Sequence, residues 1–201
     1  MYPIVLDVGR ARVALAGDGP AALRRLAGLD AAGAERVTAF AEAPSPELAA
    51  AAGGRLVRRL PTAADLMDVR VLLIAGLAEE TASALAATAR AMGVLVNVED
   101  RKPWCDFHVP SVIRRGDLVL TVSTNGRSPG LAKRLRRFLE DLFGPEWGGR
   151  VDEVSARRGA WRGAWRGAGA GSAAVARLTD AHVERRGWLR APRLPVLPDR
   201  L

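Results

Sequence analysis

The feature that most constrains this chain is a short apolar run that ends in a glycine turn and opens onto a helix. Residues 11–16 read Ala-Arg-Val-Ala-Leu-Ala, a run suited to a buried strand. Gly17-Asp18-Gly19 follow at once, and Pro20 suits the first position of a helix, where its missing N–H leaves no hydrogen bond unmade. Leu23, Leu26 and Ala27 carry the helix to Gly33, its expected stop. Residues 36–41, Arg-Val-Thr-Ala-Phe-Ala, then supply a second strand. Strand, turn, helix and strand within about 30 residues make a βαβ unit, whose two strands lie parallel.

The turn itself, Gly17-x-Gly19-x-x-Ala22, matches the looser dinucleotide fingerprint. The first glycine permits the tight turn, the second admits a pyrophosphate to the backbone, and a small third residue lets helix and strand pack closely. Amide groups at the helix N-terminus would then face the phosphates. The same residues also read as a tight βα turn without a ligand. Asp18 leans that way, because a carboxylate repels a pyrophosphate unless it points elsewhere. Glu42, at the end of the second strand, stands roughly where a ribose-binding acid is expected, about 20 residues on; it also reads as a solvated charge.

The pattern continues. Residues 55–59 alternate like a strand, 69–75 form the clearest buried strand, and 79–92 form an alanine-rich helix that begins with acids and stops at Gly93. Residues 94–98 are another strand leading into Glu99-Asp100, and 117–122 a further one. Strands alternating with helices predict an α/β fold with a parallel, doubly wound sheet. Ser128-Pro129 caps a helix with Leu131, Leu135, Phe138, Leu139 and Leu142 on one face, ended by Gly144-Pro145. Beyond that the character changes. Gly159-Ala-Trp-Arg162 is repeated directly as Gly163-Ala-Trp-Arg166, and glycines and alanines follow to Gly171. Ser172 caps a last helix carrying Val175, Leu178, His182 and Val183, stopped by Gly187, and the proline-bearing tail from Pro192 is expected to be extended. A helical C-terminal domain is expected after residue 145.

Composition narrows the function classes. Apolar runs fall well short of the 18 or so residues that a membrane helix needs. The opening residues lack a basic leader, which places the expected site of action in the cytoplasm. One cysteine, Cys105, and two histidines, His108 and His182, suggest neither a disulfide framework nor a resident metal cluster. The net charge of +8 favours anionic partners, or reflects an arginine-rich background. The basic residues are dispersed and lack an aromatic platform, so nucleic acid is not expected as a partner.

Three stretches together resemble the precorrin-2 dehydrogenase/sirohydrochlorin ferrochelatase family, the N-terminal module of siroheme synthase. They are Tyr2-Pro-Ile-Val-Leu-Asp7, Gly93-Val-Leu-Val-Asn-Val-Glu-Asp100, and the run from Phe107-His-Val-Pro-Ser through Arg114-Arg-Gly-Asp-Leu to Val122-Ser-Thr-Asn-Gly-Arg-Ser-Pro-Gly-Leu-Ala-Lys133. The resemblance implies a Rossmann-like NAD-binding domain over residues 1–112, a dimerisation region over 113–145 and a helical C-terminal domain over 146–201, assembled as a homodimer. It implies oxidation of precorrin-2 to sirohydrochlorin with NAD, and in many members insertion of ferrous iron. It makes Asp100 the acid/base residue, a position that by itself reads equally as a loop carboxylate capping the turn before Pro103. Beside the fingerprint glycines Gly17 and Gly19, it implies cofactor contacts at Pro20 and Ala21 of the turn, and at Glu42 and Ala43 after the second strand. Thr124 takes the place of a serine that some fused relatives phosphorylate.

Departures from the family pattern fall at the nucleotide site. Members have a third glycine where Asp18 stands and often a lysine where Arg25 stands. They show Ala-Thr-Asp/Asn-Asp where this chain has Gly76-Leu77-Ala78-Glu79.

Precorrin-2 carries many carboxylates, so Arg114, Arg115, Arg127 and Lys133 are candidate complements, each equally readable as a solvated charge. Ser123, Thr124 and Asn125 offer hydrogen bonds or form a plain polar turn. His108 is a candidate propionate ligand or a structural histidine, and Cys105 beside Trp104 reads as a partly buried thiol. A non-catalytic NAD- or tetrapyrrole-binding sensor is the alternative, with Trp161 and Trp165 either on a partner-binding helix or in internal packing.

Overall fold

The computed structural model describes residues 2–164 and 171–189. The chain divides into two compact units, Met1–Val109 and Pro110–Leu201.

The first unit is built on a five-stranded parallel sheet. Its strands are β1 (Arg12–Gly17), β2 (Arg36–Phe40), β3 (Leu56–Val57), β4 (Val71–Ala75) and β5 (Leu95–Val98), in the spatial order β3-β2-β1-β4-β5. Helices α1 (Gly19–Ala31), α2 (Pro46–Ala52), α3 (Ala63–Leu66) and α4 (Glu79–Ala91) connect them. Successive strand side chains point to opposite faces, and each face is covered. Val13, Leu15, Val71 and Leu73 pack with Ala22, Leu26 and Leu48 of α1 and α2. Ala14, Ala16, Leu72 and Ile74 pack with Leu66 of α3 and with Ala82, Ala86 and Ala89 of α4. That two-sided burial explains why residues 71–75 are apolar without alternation, all five being buried.

The Rossmann-like parallel sheet expected from the sequence is present, with differences at its β3 edge. The five-residue strand expected at 55–59 shrinks to Leu56–Val57, paired with Ala39 and Phe40. Arg55 is spent on a single 3-10 turn, where its guanidinium holds Asp30 and the carbonyl oxygens of Ala51 and Ala52. Arg59 leaves the sheet to pair with Asp65. Asp65 closes a capping box with Thr62 at the start of α3, and its carboxyl is held well below the usual range by the Arg59 guanidinium first and Thr62 second.

In the second unit, β6 (Ser111–Arg115) and β7 (Leu118–Val122) form an antiparallel hairpin, turning at Gly116 with φ 58°. The strand expected at 117–122 therefore pairs locally and does not extend the parallel sheet. Helices α5 (Pro129–Leu142), α6 (Trp147–Ala164) and α7 (Gly171–Arg186) follow. Ser128 caps α5 as its sequence predicts, accepting from the Leu131 amide. Buried His182 sits between Trp161 and Trp188, at ring-centroid distances of 6.3 and 5.4 Å. Its Nε2 lies 3.0 Å from Glu153 Oε1. Trp161 is thus a packing residue, whereas Trp165, the glycine-rich 165–170 segment and the tail from Pro192 lie outside the described residues.

Candidate cofactor and catalytic site

In a parallel sheet all strands end on one edge, and the candidate residues of the first unit gather there. Gly17 ends β1 with φ 122°. A side-chain carbon on it would lie 1.7 Å from the Ala75 carbonyl oxygen. Gly76, with φ 74°, stands in the reciprocal position, where such a carbon would meet the Asp18 carbonyl oxygen at 2.1 Å. The two turns thus cross in backbone contact, joined by the Asp18 amide donating to the Ala75 oxygen at 3.1 Å. Glycine is needed at both positions by the protein's own chain.

Gly19 is different. Its φ is 81°, and a side-chain carbon there would meet nothing within 4 Å. The ground above this backbone is open, as a pyrophosphate-binding turn requires, so the residues present fit NAD chemically. Pro20 follows without an N–H, so the amides of Ala21 and Ala22 lead the helix terminus, and Ala22 is fully buried as the small packing residue. The Asp18 carboxylate is held by Ser45, which donates to it through its amide at 2.9 Å and its hydroxyl at 2.7 Å. Glu42 and Ala43 are exposed just beyond β2.

Asp100 lies on the turn after β5, exposed, with φ 57°. Left-handed backbone is tolerated by aspartate at a cost of order 1 kcal/mol and recurs where surroundings over-determine a functional residue. Those surroundings are visible. Next to it, the Glu99 amide donates to the Ile74 oxygen at 2.8 Å, while the Glu99 carboxylate pairs with Arg25 and, at 3.5 Å, with Arg24. Arg101, on the other side, pairs with Glu79 of α4 at 2.9 Å.

The following segment is fastened along β5. Asp106 bonds Val96 through its own amide and its carboxylate, each at 2.8 Å, and pairs with Arg90 at 2.9 Å. Asn97 donates to the Phe107 oxygen at 2.9 Å. The Cys105 thiol accepts from the Val98 amide at 3.3 Å and donates to the Val98 oxygen at 3.1 Å. Burial pushes that thiol's pKa up, so Cys105 is a staple, as its partly buried reading implies. His108 is half-buried two residues beyond Asp106.

Ser123, Thr124, Asn125 and Arg127 share one loop of the second unit, between β7 and α5. The Thr124 hydroxyl donates to the Ser128 oxygen at 3.0 Å and accepts from its amide at 3.1 Å, so it shapes the loop. Asn125 holds φ 53°, with its amide donating to Ser123 Oγ at 3.2 Å. Ser123, Asn125 and Arg127 are exposed. Arg114 and Lys133 are exposed as well, whereas Arg115 is committed to the Phe143 oxygen at 2.8 Å. The Asp18–Ser45, Arg25–Glu99 and Asp106–Val96 links were not foreseen from sequence; only the acids flanking each turn hint at them.

Comparison with known proteins places these features in a family. Residues 4–111 match the family described as putative NAD(P)-binding, and residues 115–142 match the sirohaem biosynthesis protein central family. The siroheme synthase of Thioalkalivibrio sulfidiphilus is 31% identical over 198 residues, covering 97% of this chain and 38% of the relative. That of Chromobacterium violaceum is 35% identical over 190 residues, covering 93% and 37%. The chain therefore spans well under half the length of these curated relatives. The solved structure of SirC, precorrin-2 dehydrogenase, shares the fold with a TM-score of 0.68 at 22% identity, over 94% of this chain and 97% of that one. With the NAD(P)-binding match covering more than half of its residues, the chain belongs to the precorrin-2 dehydrogenase/sirohydrochlorin ferrochelatase family that its sequence resembles.

Proposed function

We propose that this protein oxidises precorrin-2 to sirohydrochlorin with NAD, with Asp100 as the acid/base residue. The observation that carries the proposal is the pairing, in one unit, of an open glycine cradle at Gly19 with an exposed carboxylate held in a left-handed turn at the same sheet edge. Ligands of open α/β sheets bind along that edge. Gly17, Gly19, Pro20 and Ala21 frame the pyrophosphate, and the backbone of Glu42 and Ala43 with the Glu42 carboxylate receives the adenosine ribose. NAD, when bound, supplies the hydride acceptor. The protein supplies a base: an Asp100 carboxylate oxygen takes the proton released as the tetrapyrrole is oxidised and passes it to solvent, which its exposure permits.

Ser123, Asn125 and Arg127 bind substrate carboxylates from their loop, Thr124 sets that loop's shape, and His108 meets a propionate. The +8 net charge raises the local concentration of so acidic a substrate. Ferrous iron enters as a second substrate, its insertion using Asp100 to accept the pyrrole protons. The working form is a cytoplasmic homodimer. Its support is the apolar stripe of α5, where Leu131, Leu135 and Phe138 are 50%, 41% and 43% exposed, a face unsuited to water. Incubating the purified protein with precorrin-2 and NAD tests the reading: NADH and sirohydrochlorin are expected to form together, and no NAD-dependent turnover refutes it.

A further inference from the structure

Asp18 stands where the cofactor's negative charge is expected, and the mechanism above gives it no task. Both of its carboxylate oxygens nevertheless accept hydrogen bonds from Ser45, with the Gly19 amide beside them. Ser45 Oγ donates to Oδ1 at 2.7 Å and the Ser45 amide donates to Oδ2 at 2.9 Å. Ser45 in turn caps α2, its Oγ accepting from the amide of Leu48, which is fully buried in the core. The exposed segment carrying Glu42 and Ala43 is therefore pinned at both ends. Ala41 is buried and donates to the Val57 oxygen at 3.1 Å, and Ser45 is tied to the glycine turn.

We propose that Asp18 is a positioning residue for the adenosine half of the cofactor, its carboxylate acting as a strut that fixes the segment after β2 against the glycine turn through Ser45. The proposal rests on the NAD reading of this edge. A binding segment held in place before the ligand arrives loses less freedom when it binds, so its affinity is higher. A carboxylate near a pyrophosphate also repels it, so two effects oppose. The strut prevails because each oxygen accepts a short hydrogen bond from Ser45, into which its charge is spread. Burial raises the Asp18 pKa, but the bonds from Ser45 and the nearby Gly19 amide outweigh it, leaving the group an anion at neutral pH.

Isothermal titration of ADP-ribose and of NAD into the full chain tests this, together with steady-state kinetics. Asp18→Ala is expected to weaken ADP-ribose binding about tenfold and to raise KM for NAD to match, with kcat at saturating NAD changed less than twofold. Asp18→Asn can still accept from the Ser45 amide through its Oδ1 and donate to Ser45 Oγ through its Nδ2, reversing the second bond, and is expected to stay within threefold of the parent, a rescue that a purely repulsive carboxylate would turn into a gain. Ser45→Ala, which keeps the amide bond, is expected to fall between the two and serves where Asp18→Ala does not fold. Binding by Asp18→Ala or Ser45→Ala as tight as the parent's, or an Asp18→Asn loss equal to that of Asp18→Ala, overturns the strut. If the parent itself binds neither ADP-ribose nor NAD, the cofactor reading fails and the strut with it.

Discussion

The glycines of the turn divide into one that the fold requires and one that faces the ligand, and Gly17→Ala against Gly19→Ala separates them. At Gly17 the new methyl would lie 1.7 Å from the Ala75 oxygen, about half of an ordinary van der Waals separation, on backbone with φ 122°. Left-handed strain costs about 1–2 kcal/mol, and displacing β4's end breaks the Asp18–Ala75 hydrogen bond for about 1 kcal/mol more. The sum is about 2–3 kcal/mol, which for a chain of this length lowers Tm by roughly 4–12 °C. At Gly19 only the strain applies, about 1–2 kcal/mol or roughly 2–8 °C, because the methyl enters open space. That space is where the pyrophosphate belongs, so Gly19→Ala is expected to weaken NAD binding at least tenfold in a protein that melts near the parent. Circular dichroism melts and calorimetric titration read both quantities. A Gly17→Ala variant melting within about 2 °C of the parent, or a Gly19→Ala variant that loses more stability than Gly17→Ala, contradicts this division of roles between the two glycines.

Leu135→Glu places a charge in the α5 stripe and is expected to convert a dimer to a monomer in light scattering, leaving the α5 helix signal in place; an unchanged mass rejects α5 as the interface. Cys105 has its thiol pKa raised by burial, so the folded state binds that proton more tightly than the unfolded chain. The associated stability is complete below the unfolded thiol's pKa, about 8.5, and is lost as pH rises through the higher folded value. Alkylation by iodoacetamide at pH 7.5 is accordingly expected to be much slower than that of a free thiol and to accelerate on unfolding in urea. Equal rates in the folded and unfolded chain contradict it.

Much of the first unit is legible in the sequence because its signals are local. The βαβ unit at residues 11–41 and the strand–helix–strand at 69–98 show in apolar runs bounded by Gly17, Gly33, Gly76 and Gly93, all of which adopt positive φ. Helices α2 and α3 are short, and their caps, Ser45 and Thr62, gain meaning only from partners. The shortening of β3 depends on Arg55 reaching Asp30, 25 residues away, and such side-chain choices leave no periodic trace. The pairing of β6 with β7 follows from the Gly116-Asp117 turn, but residues 111–115 are half-polar and blend with the preceding loop. At the site, the positions of Gly19 and Asp100 on one sheet edge follow from strand order. The Asp18–Ser45 and Arg25–Glu99 links, which span 27 and 74 residues, do not.

If Asp100 is the base in an NAD-dependent oxidation, its removal must stop turnover while leaving the cofactor bound. Initial rates of NADH formation from precorrin-2 and NAD are measured for the parent and for Asp100→Ala, with NAD affinity determined in parallel. Loss of a positioned acid/base group lowers turnover by about 10²–10⁴-fold, and the NAD affinity of the variant is expected to match the parent's. Turnover by Asp100→Ala at the parent's rate, or NAD binding by the parent without any turnover, as a sensor would show, contradicts the account.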